Sequence, residues 1–381
     1  MPSRIRTILL ASVLKPLDDT RMYEKFGHTL AQRPGLQVHI AGRATPVPAD
    51  APANLHTHVL QAGTRLSWAR LTAQATYWKL LRKLQPDLCI VHAPELLPLT
   101  LLWKVLRPNR HFFYDIRENY ALNIRTQSVY PSWLRGLLAA LVRGLETLAA
   151  RSASRLILAE RSYAEELPFT RPEHVTVLEN KYQPVANVLP RVTPVKFLPG
   201  QPLELLYSGT ISELNGVLEA VAFTKSLRTF WPQAHLTIIG YCQQPDLLQR
   251  LATEITTANG AVTLLGGAVP VPHSQIVAAI SNVHLGLLPY QPHPSSWRCI
   301  PTKLFEYMAM GLPVLIPNNQ LWRTLVEQHQ AGLVVNFTDT VATREVGDQL
   351  LRQEFYPWGV PADSFWAAEG AKLLSIVDDI K

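Results

Sequence analysis

Cys299-Ile-Pro-Thr-Lys-Leu-Phe-Glu-Tyr-Met-Ala-Met-Gly-Leu-Pro-Val-Leu-Ile316 is a stretch in which a loop, a helix and a strand follow one another directly. Pro301 suits the first turn of a helix, because its φ is fixed near the helical value and its missing N–H would have no partner there. Apolar residues then recur at helical spacing up to Gly311, a residue type common just past a helix end, and Pro313 prevents continuation. The last three residues, Val314-Leu-Ile316, predict a short buried strand.

Lys303 and Glu306 are the charged residues of this predicted helix, and a spacing of three places them on one face. A helix N-terminus attracts anions through its free N–H groups and its dipole, and Lys303 adds a full positive charge there. The carboxylate of Glu306 can accept hydrogen bonds from hydroxyl groups. The pair therefore indicates a site for a sugar nucleotide. The alternative is an ordinary i,i+3 pair on the surface of a core helix.

Residues 301–314, Pro-Thr-Lys-Leu-Phe-Glu-Tyr-Met-Ala-Met-Gly-Leu-Pro-Val, resemble the donor-site segment of the retaining GT-B enzymes of glycosyltransferase family 4. The resemblance implies that Glu306 binds the ribose hydroxyls of the donor nucleotide. In that family the first turn of the helix faces the diphosphate, and here this turn contains Pro301, Thr302, Lys303 and Leu304. Lys303 and Glu306 are accordingly predicted to be both donor-binding and catalytic.

A second donor-side motif follows the predicted strand Leu203–Tyr207, where Ser208-Gly-Thr210 is expected to turn into a helix. A glycine turn of this kind lets backbone N–H groups approach a phosphate, and the segment resembles the diphosphate-binding turn of the same family. The basic pair often found just beyond it there is absent. Arg298 stands where the family has the first of two glutamates eight residues apart, and we expect it to supply positive charge at the donor site.

The composition limits the classes of function that remain. The 381 residues are 47% hydrophobic and 17% charged, which indicates a globular chain with more than one core. The net charge of +7 is spread along the chain without a Lys/Arg run, which favours anionic substrates or an anionic membrane surface over nucleic acid. The three cysteines have no metal-ligand spacing and favour a reduced, cytoplasmic setting.

The order of predicted elements divides the chain into two α/β domains. Residues 1–183 are predicted to form an N-terminal, acceptor-side Rossmann-like domain. Residues 184–202 contain five prolines and predict a linker, and residues 203–361 repeat the α/β pattern as a nucleotide-sugar-binding domain. The resemblance implies the GT-B fold, with two parallel sheets facing a central cleft, and a last helix in 362–381 that crosses back to the first domain.

Several acceptor-side residues are predicted at the ends of strands in the first domain. The loop after the first strand contains Asp19 and Arg21, and open α/β sheets bind ligands at the carboxyl ends of their strands. His92-Ala-Pro-Glu95 follows another strand and resembles a His-x-Pro-Glu phrase of the family. The sequence leaves open whether Asp19, Arg21 and Glu95 bind a ligand or only stabilise helix starts.

Arg117 is the clearest departure from the family. At the end of the predicted strand Arg110–Tyr114, relatives usually have Tyr-Asp-x-His-Glu, and the histidine contacts the donor sugar. This chain has Tyr114-Asp-Ile-Arg-Glu118 instead. An arginine stays protonated, so it cannot act as a base near neutral pH. It can bind sugar hydroxyls or a phosphate, and we predict that Arg117 takes this catalytic role beside Glu118 on the acceptor side.

The helix predicted at Trp133–Ala150 has a broad leucine stripe and two arginines, and Arg151 follows it directly. The pattern fits a core helix, and it also fits a helix lying on an anionic membrane surface, where a lipid-linked acceptor would be found. No apolar run approaches the ~20 residues that a bilayer span needs, and the N-terminus lacks a cleavage signal. The expected location is the cytoplasm, or the inner face of the membrane under the second interpretation.

Taken with the resemblance, these features imply a retaining, hexosyltransferase-type enzyme that moves a sugar from a nucleoside diphosphate sugar to a glycan, lipid-linked or small-molecule acceptor. No cofactor and no metal are predicted, since the sequence has no Asp-x-Asp triplet. The departures at Arg117 and Arg298 keep a second hypothesis open, a non-catalytic partner that binds nucleotide sugars. A Rossmann oxidoreductase is disfavoured, because no Gly-x-Gly-x-x-Gly follows a strand.

Overall fold

The computed structural model describes residues 6–46, 51–62, 69–127, 130–184, 188–339 and 343–380. The chain forms two compact units, one made of Met1–Gln183 with Trp366–Lys381 and the other of Pro184–Phe365. No helix in these described ranges has the length and apolar character needed to cross a membrane.

The first unit is built on a parallel sheet that has seven strands in the described residues. They are β1 Thr7–Pro16, β2 Gln37–Arg43, β3 Leu55–Gln61, β4 Leu88–Val91, β5 His111–Ile116, β6 Arg155–Leu158 and β7 Val175–Val177. Their order is β3-β2-β1-β4-β5-β6-β7, and each neighbouring pair is parallel. The direction of winding reverses between β1 and β4, which is where ligand sites form in sheets of this type.

Helices connect these strands. They are α1 His28–Ala31, α2 Ala69–Leu84, α3 Leu97–Val105, α4 Tyr120–Thr126, α5 Ser132–Ser152 and α6 Tyr163–Glu166. A π-helix, Thr20–Gly27, leads into α1, and short 3-10 turns occur at Pro94–Leu96 and Pro172–His174. The predicted helix after the first strand is therefore present, but most of it is π-helical.

Helix Ala367–Asp378 also belongs to the first unit. It is preceded by Trp366, whose ring stacks on Phe26 with 5.6 Å between centroids and whose indole N–H donates to Thr29 Oγ1 at 2.9 Å. The same core contains apolar residues of β1 and β2 that are fully buried, such as Ile8 and Val38. Burial of this apolar area stabilises the helix on the sheet.

The second unit repeats the architecture with six parallel strands in the described residues. They are β8 Leu203–Ile211, β9 Ala234–Cys242, β10 Val262–Gly267, β11 Leu285–Leu287, β12 Val314–Ile316 and β13 Gly332–Val334, in the order β10-β9-β8-β11-β12-β13. The connecting helices are α7 Val217–Leu227, α8 Pro245–Thr257, α9 His273–Ser281, α10 Thr302–Ala309, α11 Gln320–Gln328 and α12 Thr343–Arg352. Here the winding reverses between β8 and β11.

The proline-rich segment that precedes β8 packs on the second unit. The N–H of Arg191 donates to the carbonyl of Met310 at 3.1 Å, and its guanidinium donates to the carbonyl of Ile280 at 2.7 Å. Val195 forms an antiparallel bridge with Phe355. These backbone bonds give the segment a defined course over the unit.

Strand β8 is longer than predicted, because Ser208-Gly-Thr210 stays paired with β9. The expected turn at Ser208 is therefore wrong, and the chain leaves the sheet only after Ile211. Glycines make this pairing possible: Gly209 lies opposite Gly240, and Gly240 lies opposite Gly266. A Cβ on Gly240 would stand 1.7 Å from the carbonyl oxygen of Gly209, closer than any side chain can approach.

We expect Gly240→Ala to lower the free energy of unfolding of the second unit by at least about 3 kcal/mol, since a backbone carbonyl must move to make room. Gly260→Ala is the matched control. Gly260 has φ +75° but nothing within 4 Å of an added Cβ, so it should lose only about 1–2 kcal/mol from backbone strain. Urea denaturation followed by circular dichroism measures both. Equal losses in the two variants would contradict this account of the glycine row.

Candidate functional site

In the second unit, α10 begins beside the reversal between β8 and β11, and its Lys303 lies against the end of β8. A Cβ added to Gly209 would stand 2.7 Å from Lys303 Cε. Any side chain larger than hydrogen at position 209 would therefore displace the lysine. Because Gly209 has no Cβ, the Lys303 side chain can lie against it. The two residues were predicted from separate motifs, and the structure brings them into contact.

The ends of α10 match the sequence prediction. Pro301 precedes the helix with φ −59° and ψ 133°, and no side chain caps the first turn. Gly311 follows the helix with φ +67°, in the left-handed region that favours glycine. Without a side-chain cap, the positive end of the helix dipole lies next to Lys303.

The Lys303 ammonium lies over two aromatic rings, 4.8 Å from the centroid of Tyr207 and 5.4 Å from that of Tyr290. Within the residues that the structure describes, it has neither a hydrogen bond nor an ion pair. Burial lowers the pKa of Lys303 to about 8, with Glu306 opposing the shift. Lys303 is half-buried, and an ammonium partly removed from water without an anionic partner at hydrogen-bond distance is costly, so this position favours an anionic ligand.

Glu306 is buried one turn further along α10 and is bonded to His273, the first residue of α9. His273 Nε2 and Glu306 Oε1 are 3.1 Å apart. The second carboxylate oxygen has no hydrogen bond to any residue in the described ranges. His273 was not among the site residues predicted from the sequence. Pro272 before a helical pattern indicates that His273 begins a helix, but it does not indicate that the imidazole bonds Glu306.

The remaining predicted donor residues lie in different environments. Ser208 is buried, with its hydroxyl 2.8 Å from that of Tyr307, and Leu304 is fully buried, so both contribute to packing. Thr210 is exposed, and its carbonyl accepts a hydrogen bond from Tyr207. Pro301 and Thr302 are partly exposed at the start of α10, and Arg298 is exposed in the loop before it.

In the first unit, the reversal between β1 and β4 is occupied by a buried ion-pair network. Arg21 donates from Nε and Nη2 to the two oxygens of Asp115, at 2.9 and 2.7 Å. His92 Nδ1 lies 2.6 Å from the same carboxylate. Burial opposes the charge on Asp115, but Arg21 and His92 together hold its pKa well below the ordinary range. Arg21 also donates to the carbonyl of Leu178 and to Asn180 Oδ1.

A second pair stands next to this network. Arg117 donates from its two Nη atoms to the two oxygens of Asp19, at 2.7 and 3.1 Å. Asp19 also accepts from the N–H groups of Arg21 and Met22, and so caps the π-helix. Burial opposes ionisation of Asp19, yet Arg117 holds its pKa well below the usual value. Of the two interpretations left open by the sequence, the structure shows the cap, and Asp19 in addition forms an ion pair with Arg117.

The other two predicted acceptor-side carboxylates are partly exposed. Glu118 lies 3.7 Å from Lys15 and accepts a hydrogen bond from Asn123. The backbone carbonyl of Glu95 accepts a hydrogen bond from the side chain of Gln74. The structure therefore brings Asp19, Arg21, His92 and Arg117 together.

The two Arg–Asp pairs of the first unit should differ in their contribution to stability. Arg21→Met leaves Asp115 charged and buried, so we expect a loss of roughly 3–5 kcal/mol near neutral pH. Arg117→Met, whose pair is nearer the surface, should lose about 1–2 kcal/mol. Asp115 stabilises above the ordinary pKa of an aspartate and loses this contribution on acidification, so the difference between Arg21→Met and the parent should shrink below about pH 4. Urea denaturation across pH measures this, and equal losses for both variants would contradict it.

Known proteins show similarity to this chain in sequence and in fold. Residues 202–353 match the family model described as glycosyl transferases group 1. Glycogen synthases from two strains of Mycobacterium tuberculosis are 26% identical over 246 residues, which are 62% of this chain and 53% of theirs. The chain thus spans about half the length of the curated relatives it matches.

Solved structures show similarity along almost the whole chain. Sucrose-phosphate synthase from Thermosynechococcus elongatus superposes with a TM-score of 0.64 at 15% identity, covering 98% of this chain and 94% of that one. Anabaena Alr3699/HepE, in complex with UDP and glucose, gives 0.64 at 14% identity, covering 99% and 100%. The predicted GT-B fold is confirmed. This chain has the GT-B fold, and its residues 202–353 are similar to the glycosyl transferases group 1 family.

Proposed function

We propose that this protein is a retaining glycosyltransferase that moves a hexose from a nucleoside diphosphate sugar to an acceptor. The observation that carries the proposal is the pair of open polar groups on α10, the Lys303 ammonium and the second oxygen of Glu306, at the strand reversal of the second unit. The family match over 202–353 and the UDP and glucose bound by HepE support the same function.

The two residues have separate roles in the proposal. Lys303 and the first-turn N–H groups of α10 bind the diphosphate, whose charge increases as its bond to the sugar breaks. Glu306 accepts hydrogen bonds from the ribose. The departing diphosphate is stabilised by these protein groups, and the proposal includes no metal ion and no cofactor. No side chain near Lys303 is proposed as a covalent nucleophile, which is consistent with front-face attack and retention.

Arg117 is proposed to bind a sugar hydroxyl or phosphate of the donor. Its bonds to Asp19 use two of its five N–H donors and hold the guanidinium in one orientation. The alternative function, a non-catalytic protein that binds nucleotide sugars, is motivated by Arg117 and Arg298, which replace family residues. Turnover of a bound donor distinguishes the two, because a binding partner would hold the nucleotide sugar without consuming it.

The acceptor is proposed to be lipid-linked, and helix α5 of the first unit is proposed to rest on an anionic membrane surface. Trp133, Leu137, Leu141 and Leu148 lie on one face of α5 and are 80, 59, 60 and 54% exposed. This stripe is therefore not the face that packs on the unit, which contains Ala139, Glu146 and Ala149. An exposed apolar stripe headed by tryptophan is typical of helices that lie at a lipid interface.

The charges near this stripe favour lipid over another protein copy. Residues 97–152 contain eight Lys or Arg and three Asp or Glu, and two of the acidic residues, Asp115 and Glu146, are buried. Helix α3, which packs against α5, adds the exposed apolar residues Leu102, Val105 and Leu106. Anionic headgroups would be attracted to this surface, whereas a second copy of a chain of net charge +7 would be repelled.

Lys303→Met should weaken binding of the matching nucleoside diphosphate at least tenfold and lower donor turnover by roughly a hundredfold or more. Because burial lowers the pKa of Lys303, its removal should leave the unit at least as stable near pH 7. Diphosphate binding to the parent should weaken as pH rises through about 8 and should take up a proton at pH 8.5, a signal that Lys303→Met abolishes. Calorimetry in buffers of different ionisation enthalpy measures this uptake.

The ligands for this test are UDP, ADP and GDP, and the donors are the corresponding nucleoside diphosphate sugars. Binding with turnover supports the transferase, and binding without turnover supports the partner protein. If the parent binds none of the panel, or if Lys303→Met binds and turns over donor like the parent, the proposed site is wrong.

Trp133→Gln, Leu137→Gln and Leu141→Gln combined should reduce binding to phosphatidylglycerol vesicles at least tenfold, since each removes an apolar side chain from the interface. Binding should also weaken at high salt and be low on phosphatidylcholine vesicles. The control combines Leu189→Gln, Val192→Gln and Trp358→Gln, which remove equally exposed apolar residues from the second unit. Equal vesicle binding by both triple variants would contradict membrane docking through α5, as would a dimer that only the α5 substitutions dissociate.

A further inference from the structure

We propose that His273 is a positioning residue that holds the carboxylate of Glu306 in place for the two hydroxyls of a ribose, and thereby makes the site selective for ribonucleotides. The inference rests on the proposed function, because it assigns a determinant of specificity to the same site. Its starting observation is the 3.1 Å contact between His273 Nε2 and Glu306 Oε1, which joins α9 to α10.

The chain places His273 there through a tight reversal at the end of β10. Gly266 and Gly267 have φ of +89° and +73°, and a Cβ on Gly266 would stand 2.4 Å from both the carbonyl of Gly240 and Cγ2 of Val271. The segment after the strand therefore folds back over the sheet edge. Pro272, with φ −56°, then starts α9 with His273 as its first residue. The imidazole is thus carried by a backbone with little freedom to move.

The consequence for Glu306 is a fixed orientation. A glutamate has three side-chain torsions, and without a partner its carboxylate would sample several rotamers that ligand binding must restrict. His273 donates from Nε2, because a carboxylate only accepts. That bond holds Oε1, and the second oxygen, which has no protein partner among the described residues, keeps a defined position as well.

A ribose presents adjacent 2′ and 3′ hydroxyls, and a fixed carboxylate can accept from both at once. Oε1 retains a second lone-pair direction after bonding His273, and the other oxygen has both. A 2′-deoxyribose offers one hydroxyl and leaves part of this acceptor set unpaired, which costs binding energy in a buried site. Selectivity therefore depends on the carboxylate being oriented in advance, which is the role assigned to His273.

The experiment compares each ribonucleoside diphosphate that the parent binds, among UDP, ADP and GDP, with its 2′-deoxy counterpart by calorimetry. His273→Phe keeps a ring but removes the donor, and His273→Gln keeps a donor. We expect His273→Phe to weaken the ribonucleotide about tenfold and the deoxynucleotide less than twofold, so that the ratio of the two affinities collapses. His273→Gln should stay within about threefold of the parent ratio.

The matched control is His235→Phe. His235 forms a His–Glu pair of the same length, 3.1 Å to Glu204, at the start of β9, the opposite end of the sheet from His273. The His235→Phe substitution should leave the ratio of ribonucleotide to deoxynucleotide affinity unchanged, even if it lowers the melting temperature of the protein. An unchanged ratio in His273→Phe, or the same loss in His273→Gln, overturns the inference while the proposed function stands. A parent that binds no nucleoside diphosphate overturns both.

Discussion

The reversal of strand order in each sheet is the constraint on which the rest of this structure depends. In each unit the strands are first added on one side of the first strand and then on its other side. The connections that follow the two central strands, β1 and β4 in one sheet and β8 and β11 in the other, therefore leave on opposite faces of the sheet. Polar groups gather there: the network of Arg21, His92 and Asp115 lies at the first reversal, and Lys303 lies at the second.

The two units use that opening differently. In the first, the cations nearest the reversal are paired within the protein: Arg21 with Asp115, and Arg117 with Asp19. In the second, the half-buried Lys303 ammonium lies over two aromatic rings and has no hydrogen bond or ion pair among the described residues, and one oxygen of Glu306 has no hydrogen-bond partner there. A cation partly removed from water without an anionic partner at hydrogen-bond distance is unfavourable until a ligand arrives, and we therefore propose that the anionic part of the ligand binds to the second unit.

For helix α5, the sequence pattern predicts the helix correctly but does not determine what its apolar face contacts. Its leucine stripe is visible in the sequence, and the helix forms at Ser132–Ser152, close to the predicted limits. Periodicity states only that a helix has an apolar face. Which element covers that face is decided by the packing of the whole unit. Here the covered face contains Ala139, Glu146 and Ala149, and the exposed apolar residues are Trp133, Leu137, Leu141 and Leu148.

Local information in the sequence determined the helix of residues 302–309, its start after Pro301, its end before Gly311, and the common face of Lys303 and Glu306, because these follow from dihedral limits and i,i+3 spacing. It also determined the two α/β patterns and, through the motif at 301–314, the GT-B fold. The tertiary structure alone decided the partners: His273 meets Glu306 across 33 residues, and Arg21 meets Asp115 across 94. Such pairs depend on the register of parallel strands and on the path of crossover connections, and no spacing along the chain encodes either.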